Sequence, residues 1–139
     1  MDYLIDTCIW VDVERGVLAP ADIMAITGDA PIFLSPVSIA ELCFGAEVAQ
    51  EAGTRQKRLV SLQRLLRKPL LTIDAETGVI FGRLAAAIKA AGRSHRYRVQ
   101  DLWLASQAIQ HGLRFLTRNE RDFTDIPGLD LVVIPSATA

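Results

Sequence analysis

The sequence predicts an α/β fold in three layers, with helices on both faces of a central, mainly parallel sheet of four to five strands. Short apolar runs bounded by turn residues alternate along the chain with longer stretches of helical periodicity, the pattern that produces parallel sheets. The 139 residues, 50% of them apolar, are enough for one core and argue for one domain. Residues 1–135 are read as that domain and 136–139 as a short tail.

The elements follow in order. Tyr3-Leu4-Ile5 is a buried first strand, over about residues 2–5, and Thr7–Arg15 a helix stopped by Gly16. Pro20 and Asp22 open a short helix to Thr27, and Gly28-Asp29-Ala30-Pro31 is a loop. Ile32–Leu34 is a second strand. Ser35-Pro36 reads as an N-cap followed by proline at the first helical position, and the helix it launches is expected to run to Glu51. Gly53 interrupts, and Arg55–Lys68 resumes with Leu59, Leu62, Leu65 and Leu66 on one face and Arg55, Lys57, Arg58, Arg64 and Arg67 largely on the other. Leu70–Ile73 is expected as a third strand, with Asp74 capping a helix to Gly92. Arg93–Arg98 lacks apolar periodicity and reads as a loop. A helix opened by Asp101 ends at Gly112, Arg114–Leu116 is a fourth strand, and Leu131–Ile134 is a last, edge-like one.

Composition excludes several classes. A net charge of -1 provides no general attraction for nucleic acid, so any such contact must be local. Aromatic residues make up 6%, which disfavours an aromatic sheet for stacked bases. Cys8 and Cys43 are far apart and only His95 and His111 accompany them, so a structural zinc site has no ligands at the usual spacing. The cysteines read as inert buried thiols in a reducing compartment. No basic segment followed by an apolar core opens the chain and no apolar run approaches the ~20 residues of a membrane span, so a soluble, cytoplasmic protein is expected.

Three acids need a reason. Asp6 ends the first strand, at the sheet edge where open α/β folds bind ligands. Glu41 lies about a turn into a helix, in Ser38-Ile39-Ala40-Glu41-Leu42, and Asp101 opens Asp101-Leu102-Trp103-Leu104-Ala105. Each alone is explained as a helix cap or an ion-pair partner. Together, among residues that belong in a core, they point to a hard divalent cation that offsets their repulsion.

Leu4-Ile5-Asp6-Thr7, Ser38-Ile39-Ala40-Glu41-Leu42, Asp101-Leu102-Trp103-Leu104-Ala105 and Thr117-Arg118-Asn119-Glu120-Arg121-Asp122-Phe123 form an ordered set over almost the whole chain. In this the chain resembles the PIN-domain ribonucleases, more narrowly the VapC-type toxins of bacterial toxin–antitoxin pairs. The resemblance implies a PIN-like three-layer fold and a Mg²⁺- or Mn²⁺-dependent endoribonuclease with Asp6, Glu41 and Asp101 as its metal-binding acids. It also implies a cognate antitoxin and a homodimer or a toxin–antitoxin hetero-oligomer. Many members carry a fourth acid directly after Thr-Arg in the last motif. Here that position is Asn119, which offers a neutral carbonyl oxygen, while Asp122 three residues on keeps a negative charge or serves as a turn residue. Thr117 is a candidate to orient a carboxylate or a water.

Arg93, His95, Arg96 and Arg98 before Asp101, with Arg118 and Arg121 on another loop at the same edge, are candidates to grip phosphates of a single-stranded or looped RNA; the other reading is ordinary solvated charge. Val13, Leu18, Phe44 and Leu59 are apolar positions expected to be exposed and available to a partner helix, although core packing explains them equally well. Phosphoryl transfer through an aspartyl intermediate, as in haloacid-dehalogenase-like phosphatases, needs a second Asp two positions after the first, where Cys8 stands. A PIN-like module that binds RNA or protein without cutting is the remaining alternative.

Overall fold

A computed structural model describes residues 2–135; the expected tail, 136–139, lies outside them. The first strand, β1 (Tyr3–Ile5), is followed by α1 (Thr7–Glu14), α2 (Pro20–Thr27) and β2 (Ile32–Phe33). Two helices, α3 (Pro36–Glu47) and α4 (Ala52–Leu65), form a hairpin, and α5 (Ala75–Ala90) packs on α6 (Val99–Gln110). A 3-10 turn at Arg96–Arg98 precedes α6, β3 spans Arg114–Thr117, a second 3-10 turn spans Glu120–Asp122, and β4 covers Asp130–Val133.

The sheet has the order β2-β1-β3-β4 and every pairing is parallel. Tyr3 lies opposite Ile32 on one side and Arg114 on the other, and Ile5 is opposite Leu116. Strand side chains alternate between faces, and two cores result. Leu4 and Phe115 join Leu84 and Ile88 of α5 and Leu102 and Ala105 of α6 on one face. Tyr3, Ile5 and Leu116 join Ile9 and Trp10 of α1 and Ile23 of α2 on the other. This is the three-layer α/β/α arrangement expected from the sequence.

Caps and buried polar bonds fix the helices around the sheet. Ser35 is the N-cap of α3, its Oγ accepting from the Val37 N–H, with Pro36 next in line as expected. Ser35 Oγ also donates to Gln107 Oε1 of α6, and Gln107 Nε2 donates to the Thr72 carbonyl at 3.2 Å. Both residues are fully buried, so the pair locks α3 to α6 while satisfying polar groups that would otherwise be costly. Asp74 caps α5 by accepting the Thr77 N–H at Oδ1, and Thr77 Oγ1 accepts the Asp74 N–H in return.

Four expectations require correction. Leu70–Ile73 is not a strand: Leu34 N–H bonds the Pro69 carbonyl, Leu71 N–H bonds the Leu34 carbonyl, and pairing stops at the single Leu34–Leu70 bridge. Pro69 has no N–H to offer and the Thr72 carbonyl is taken by Gln107, so the ladder has nothing to continue on. The α3 helix ends at Glu47, before the expected Glu51, and α4 starts and stops three residues early. Asp101 does not open α6 but sits in its first turn. Leu18 is 5% exposed and belongs to the core under α1 and α2, whereas Phe44 is exposed at 68%. Among the described residues no helix is long and apolar enough to cross a membrane.

Candidate active site

The chain enters the sheet at its middle. After β1 it moves to β2 on one side, and later to β3 and β4 on the other, so the crevice at the carboxyl ends of β1 and β3 is a topological switch point. Asp6 follows β1 there and its N–H bonds the Leu116 carbonyl at 2.9 Å. The last residue of β3, Thr117, donates from Oγ1 to Asp6 Oδ2 at 2.7 Å. The Cys8 thiol donates to the same oxygen at 3.2 Å. Thr117 Oγ1 in turn accepts the Asn119 N–H at 3.0 Å. Asp6 is 5% exposed, and burial pushes its carboxyl above the ordinary aspartate value, against the lowering effect of Thr117 and Cys8.

Glu41 reaches the same place from α3. Its Oε1 accepts from Thr7 Oγ1 at 2.9 Å, and Thr7 Oγ1 lies 2.8 Å from Ser38 Oγ. A hydroxyl has one proton; if Thr7 gives it to Glu41, Ser38 must donate to Thr7, so the bonds run Ser38 to Thr7 to Glu41. Glu41 is raised by burial and by the Asp6 charge, with the Thr7 bond opposing. Asp101, in the first turn of α6, is pushed up to about 6 by burial first, then by Asp6, Asp122 and Glu41, with only Arg98 opposing. Four acids thus share one field, and of the two candidates for the fourth position, the charge that reaches Asp101 is that of Asp122. Asn119 is exposed and meets the site through its backbone.

Other candidate residues are engaged elsewhere. Arg98 holds Asp125 bidentately, Nη1 to Oδ2 and Nη2 to Oδ1, both at 2.7 Å, and Nη2 also bonds the Asp122 carbonyl. Arg93 Nη1 takes Asp125 Oδ2 at 2.6 Å, and Arg118 is paired with Asp12 at 2.6 Å. Arg96 and Arg121 are exposed and His95 is half-buried; among the described residues neither arginine forms an ion pair. The structure therefore sets Thr117 on Asp6 and puts Asp6, Glu41 and Asp122 within electrostatic reach of Asp101, and pairs Arg93, Arg98 and Arg118 with Asp125 and Asp12.

Sequence reasoning overlooked Thr7, Ser38 and Asp125. Thr7 and Ser38 had a signal, a hydroxyl beside each of two suspected acids or one turn before it. Asp125 had none, because its partners are 27 and 32 residues away. Both cysteines, read as buried, are only half-buried; burial and the Asp6 charge push the Cys8 thiol up to about 12, which leaves it protonated.

As the side chains stand, no group of three or more His, Cys, Asp or Glu among the described residues is gathered closely enough to hold an ion unaided. The donor set nevertheless suits a hard cation. Asp6, Glu41 and Asp101 are carboxylates whose ionised forms are disfavoured by burial, with neighbouring acids adding to this at Glu41 and Asp101, and magnesium takes one or two carboxylates while keeping several waters.

A groove of about 110 Å³ runs from Glu41 between α1, α3 and α4, lined by Trp10, Glu14, Leu42, Arg58 and Leu62 among others. Trp10 Nε1 is a buried donor with no hydrogen-bond partner among the described residues.

Among known proteins, ribonuclease VapC5 of Mycobacterium tuberculosis is 29% identical over 131 residues, covering 94% of this chain and 92% of that one. Ribonuclease VapC of Rickettsia bellii is 26% identical, covering 97% and 98%. The crystal structure of VapBC2 from Rickettsia felis, bound to a DNA fragment from their promoter, superposes with a TM-score of 0.83 at 22% identity, covering 96% of this chain and 99% of that one. The sequence signature of the PIN domain matches residues 3–129, nearly the whole of the chain, and with the acids converging at the switch point of a parallel sheet this chain belongs to the PIN domain family.

Proposed function

We propose that this chain is the toxin of a toxin–antitoxin pair, an endoribonuclease that depends on Mg²⁺ or Mn²⁺ and uses Asp6, Glu41 and Asp101 as its metal-binding acids. The observation that carries the reading is the elevation at Asp101, whose carboxyl is raised by burial and by three other acids, while Arg98, committed to Asp125, opposes them only in part. The relatives named ribonuclease VapC, matched over nearly their full length, supply the substrate class.

A bound divalent ion supplies Lewis acidity, making a water acidic enough to attack a phosphodiester and offsetting charge on the phosphoryl oxygens. The chain's own residues prepare for this. Thr117 and Cys8 fix the orientation of Asp6, and Ser38 and Thr7 fix Glu41, so neither acid needs to be ordered when the ion arrives. Asp122 supplies negative charge beside Asp101 where many relatives place an acid at the position of Asn119. Binding the ion requires Asp101 to lose its proton, so metal affinity falls as pH drops below about 6. The groove between α1, α3 and α4, opening at Glu41, is the surface proposed for the antitoxin, in keeping with the VapBC complexes that the fold resembles. A homodimer is the expected assembly of the toxin itself.

Cleavage of a pool of cellular RNAs by the purified chain, with Mg²⁺, with Mn²⁺ and with EDTA, tests this beside the Asp6→Asn protein. Discrete cuts that require the metal and vanish in the variant are expected. No cutting by the folded chain with either metal would favour a PIN-like module that binds RNA or protein, with Asn119 as the reason.

A further inference from the structure

Of the aromatic side chains among the described residues, only Tyr97 and Phe44 are exposed, at 94% and 68%. The others are in the core or stacked, as Phe81 is on Trp103 and Phe115 is against Phe123. Phe44 lies on α3, whereas Tyr97 stands beside the acid cleft. It occupies the middle of the 3-10 turn Arg96–Arg98, four residues before Asp101, and shares with Arg96, Arg98, Val99, Gln100 and Asp101 an open concavity of about 340 Å³. That falls within the range of small-ligand sites, about 300–1,000 Å³.

The turn that presents Tyr97 is held on both sides. Arg98 N–H closes it onto the His95 carbonyl at 3.0 Å, and the Arg98 guanidinium is anchored on Asp125 and the Asp122 carbonyl. Packing does not explain this exposed ring, yet the turn that carries it is anchored by the bidentate Arg98–Asp125 pair. A solvent-facing aromatic ring on an anchored stretch of backbone, next to a cationic side chain, is a means by which proteins bind unpaired bases, because every base has a face to stack. Arg96, exposed and without an ion pair among the described residues, supplies the positive charge beside it.

We propose that Tyr97 is the base-stacking platform of the site, on which an unpaired nucleobase of a single-stranded or looped RNA lies while Arg96 holds the adjoining backbone at the mouth of the acid cleft. This rests on the nuclease reading above and gives it a substrate feature: the strand must be unpaired beside the cut. Two-sided recognition follows, with the acids acting on the phosphate and Tyr97 on the base.

The test uses short single-stranded RNAs that carry 2-aminopurine at successive positions, mixed in EDTA with the wild-type chain, Tyr97→Phe and Tyr97→Ala. Because the ring is exposed, both variants should melt at the wild-type temperature. The wild type and Tyr97→Phe are expected to quench the probe at one position, and Tyr97→Ala to lose the quenching and bind roughly 5- to 150-fold more weakly. Unchanged affinity and quenching in Tyr97→Ala, or no quenching by the wild type, would overturn the proposal. So would unchanged RNA binding combined with weakened antitoxin association, which would assign Tyr97 to a protein interface. Cutting of the cellular RNA pool separates the two readings. A wild type that cuts, beside a Tyr97→Ala that cuts the same sites at the same rate, defeats the stacking platform alone. A wild type that cuts nothing defeats the nuclease, while quenching still decides the role of Tyr97.

Discussion

Asp101 and Asp125 are carboxylates near the same end of the sheet, and the fold treats them in opposite ways. Burial and three neighbouring acids lift Asp101 to about 6, whereas the Arg98 and Arg93 guanidiniums beside Asp125 hold it down at about 2. Arg98 feels the Asp101 charge as well, yet its two nitrogens face Asp125. The difference shows that this chain has arginine within electrostatic reach of Asp101 and directs its hydrogen bonds to Asp125 instead. A cluster satisfied from within would have no use for an external cation; this one is left with a deficit of positive charge that an ion can meet. The bound arginine serves a separate purpose, tying the turn before Asp101 to the loop that carries Asp122.

The largest effect that would break this comparison is expected from Asp101→Asn. Cleavage should fall about 10²–10³-fold, the usual scale for losing a group that stabilises the transition state. Stability should move the other way. The folded value of Asp101 lies above its ordinary 3.8, so its contribution is full below about pH 3.8 and is lost as pH rises through about 6. In EDTA the variant should therefore gain on the wild type between pH 4 and 7, by about 1–2 kcal/mol after allowing for solvent screening of a half-buried group. Urea denaturation across that range checks it, and equal stability at both ends would mean that the acids do not repel one another.

Asp125→Asn tests the other half. It removes a bidentate charge-assisted pair and leaves Arg98 partly buried without its partner, so a loss of about 1–3 kcal/mol at pH 7 is expected. The sign with pH is reversed: a group depressed to about 2 stabilises above its ordinary 3.8, and that advantage is lost as pH falls through about 2. Wild type and variant should thus converge on acidification, as denaturation from pH 5 down to pH 2 would reveal. The smallest effect distinguishes arginines within one turn. Arg96→Ala should leave the melting temperature unchanged and reduce the salt slope of RNA binding by about 1. An unaltered slope would return Arg96 to the solvated surface.

Much of the site was legible because its acids are local anomalies, charged residues embedded in runs that belong in a core. Ile5-Asp6, Ala40-Glu41 and Asp101-Leu102 could be noticed without knowing what they approach. The hydroxyl network was only half legible: Thr117 was chosen for its motif, while Thr7 and Ser38 were passed over although they flank two of those acids. The arginines were misleading for a physical reason, since clustering in sequence says nothing of partners 27 or 106 residues away. The fold was read correctly in its layers and strand direction. Leu70–Ile73 was the exception, because a short apolar run says that a segment wants burial and not whether a neighbour has free backbone groups to pair with. Leu18 shows the converse, an apolar residue in a turn-rich connection that closes the core instead of facing solvent.

Both borders of the sheet are short. At one side β2 contributes two residues and the chain covers the next position with a single bridge at Leu70; at the other β4 ends within two residues of Pro135. Short, proline-bounded edges give a second copy little backbone to extend. The sheet borders thus offer a partner little backbone to pair with, and a copy stripped of its partners has little sheet through which to recruit others into a growing aggregate.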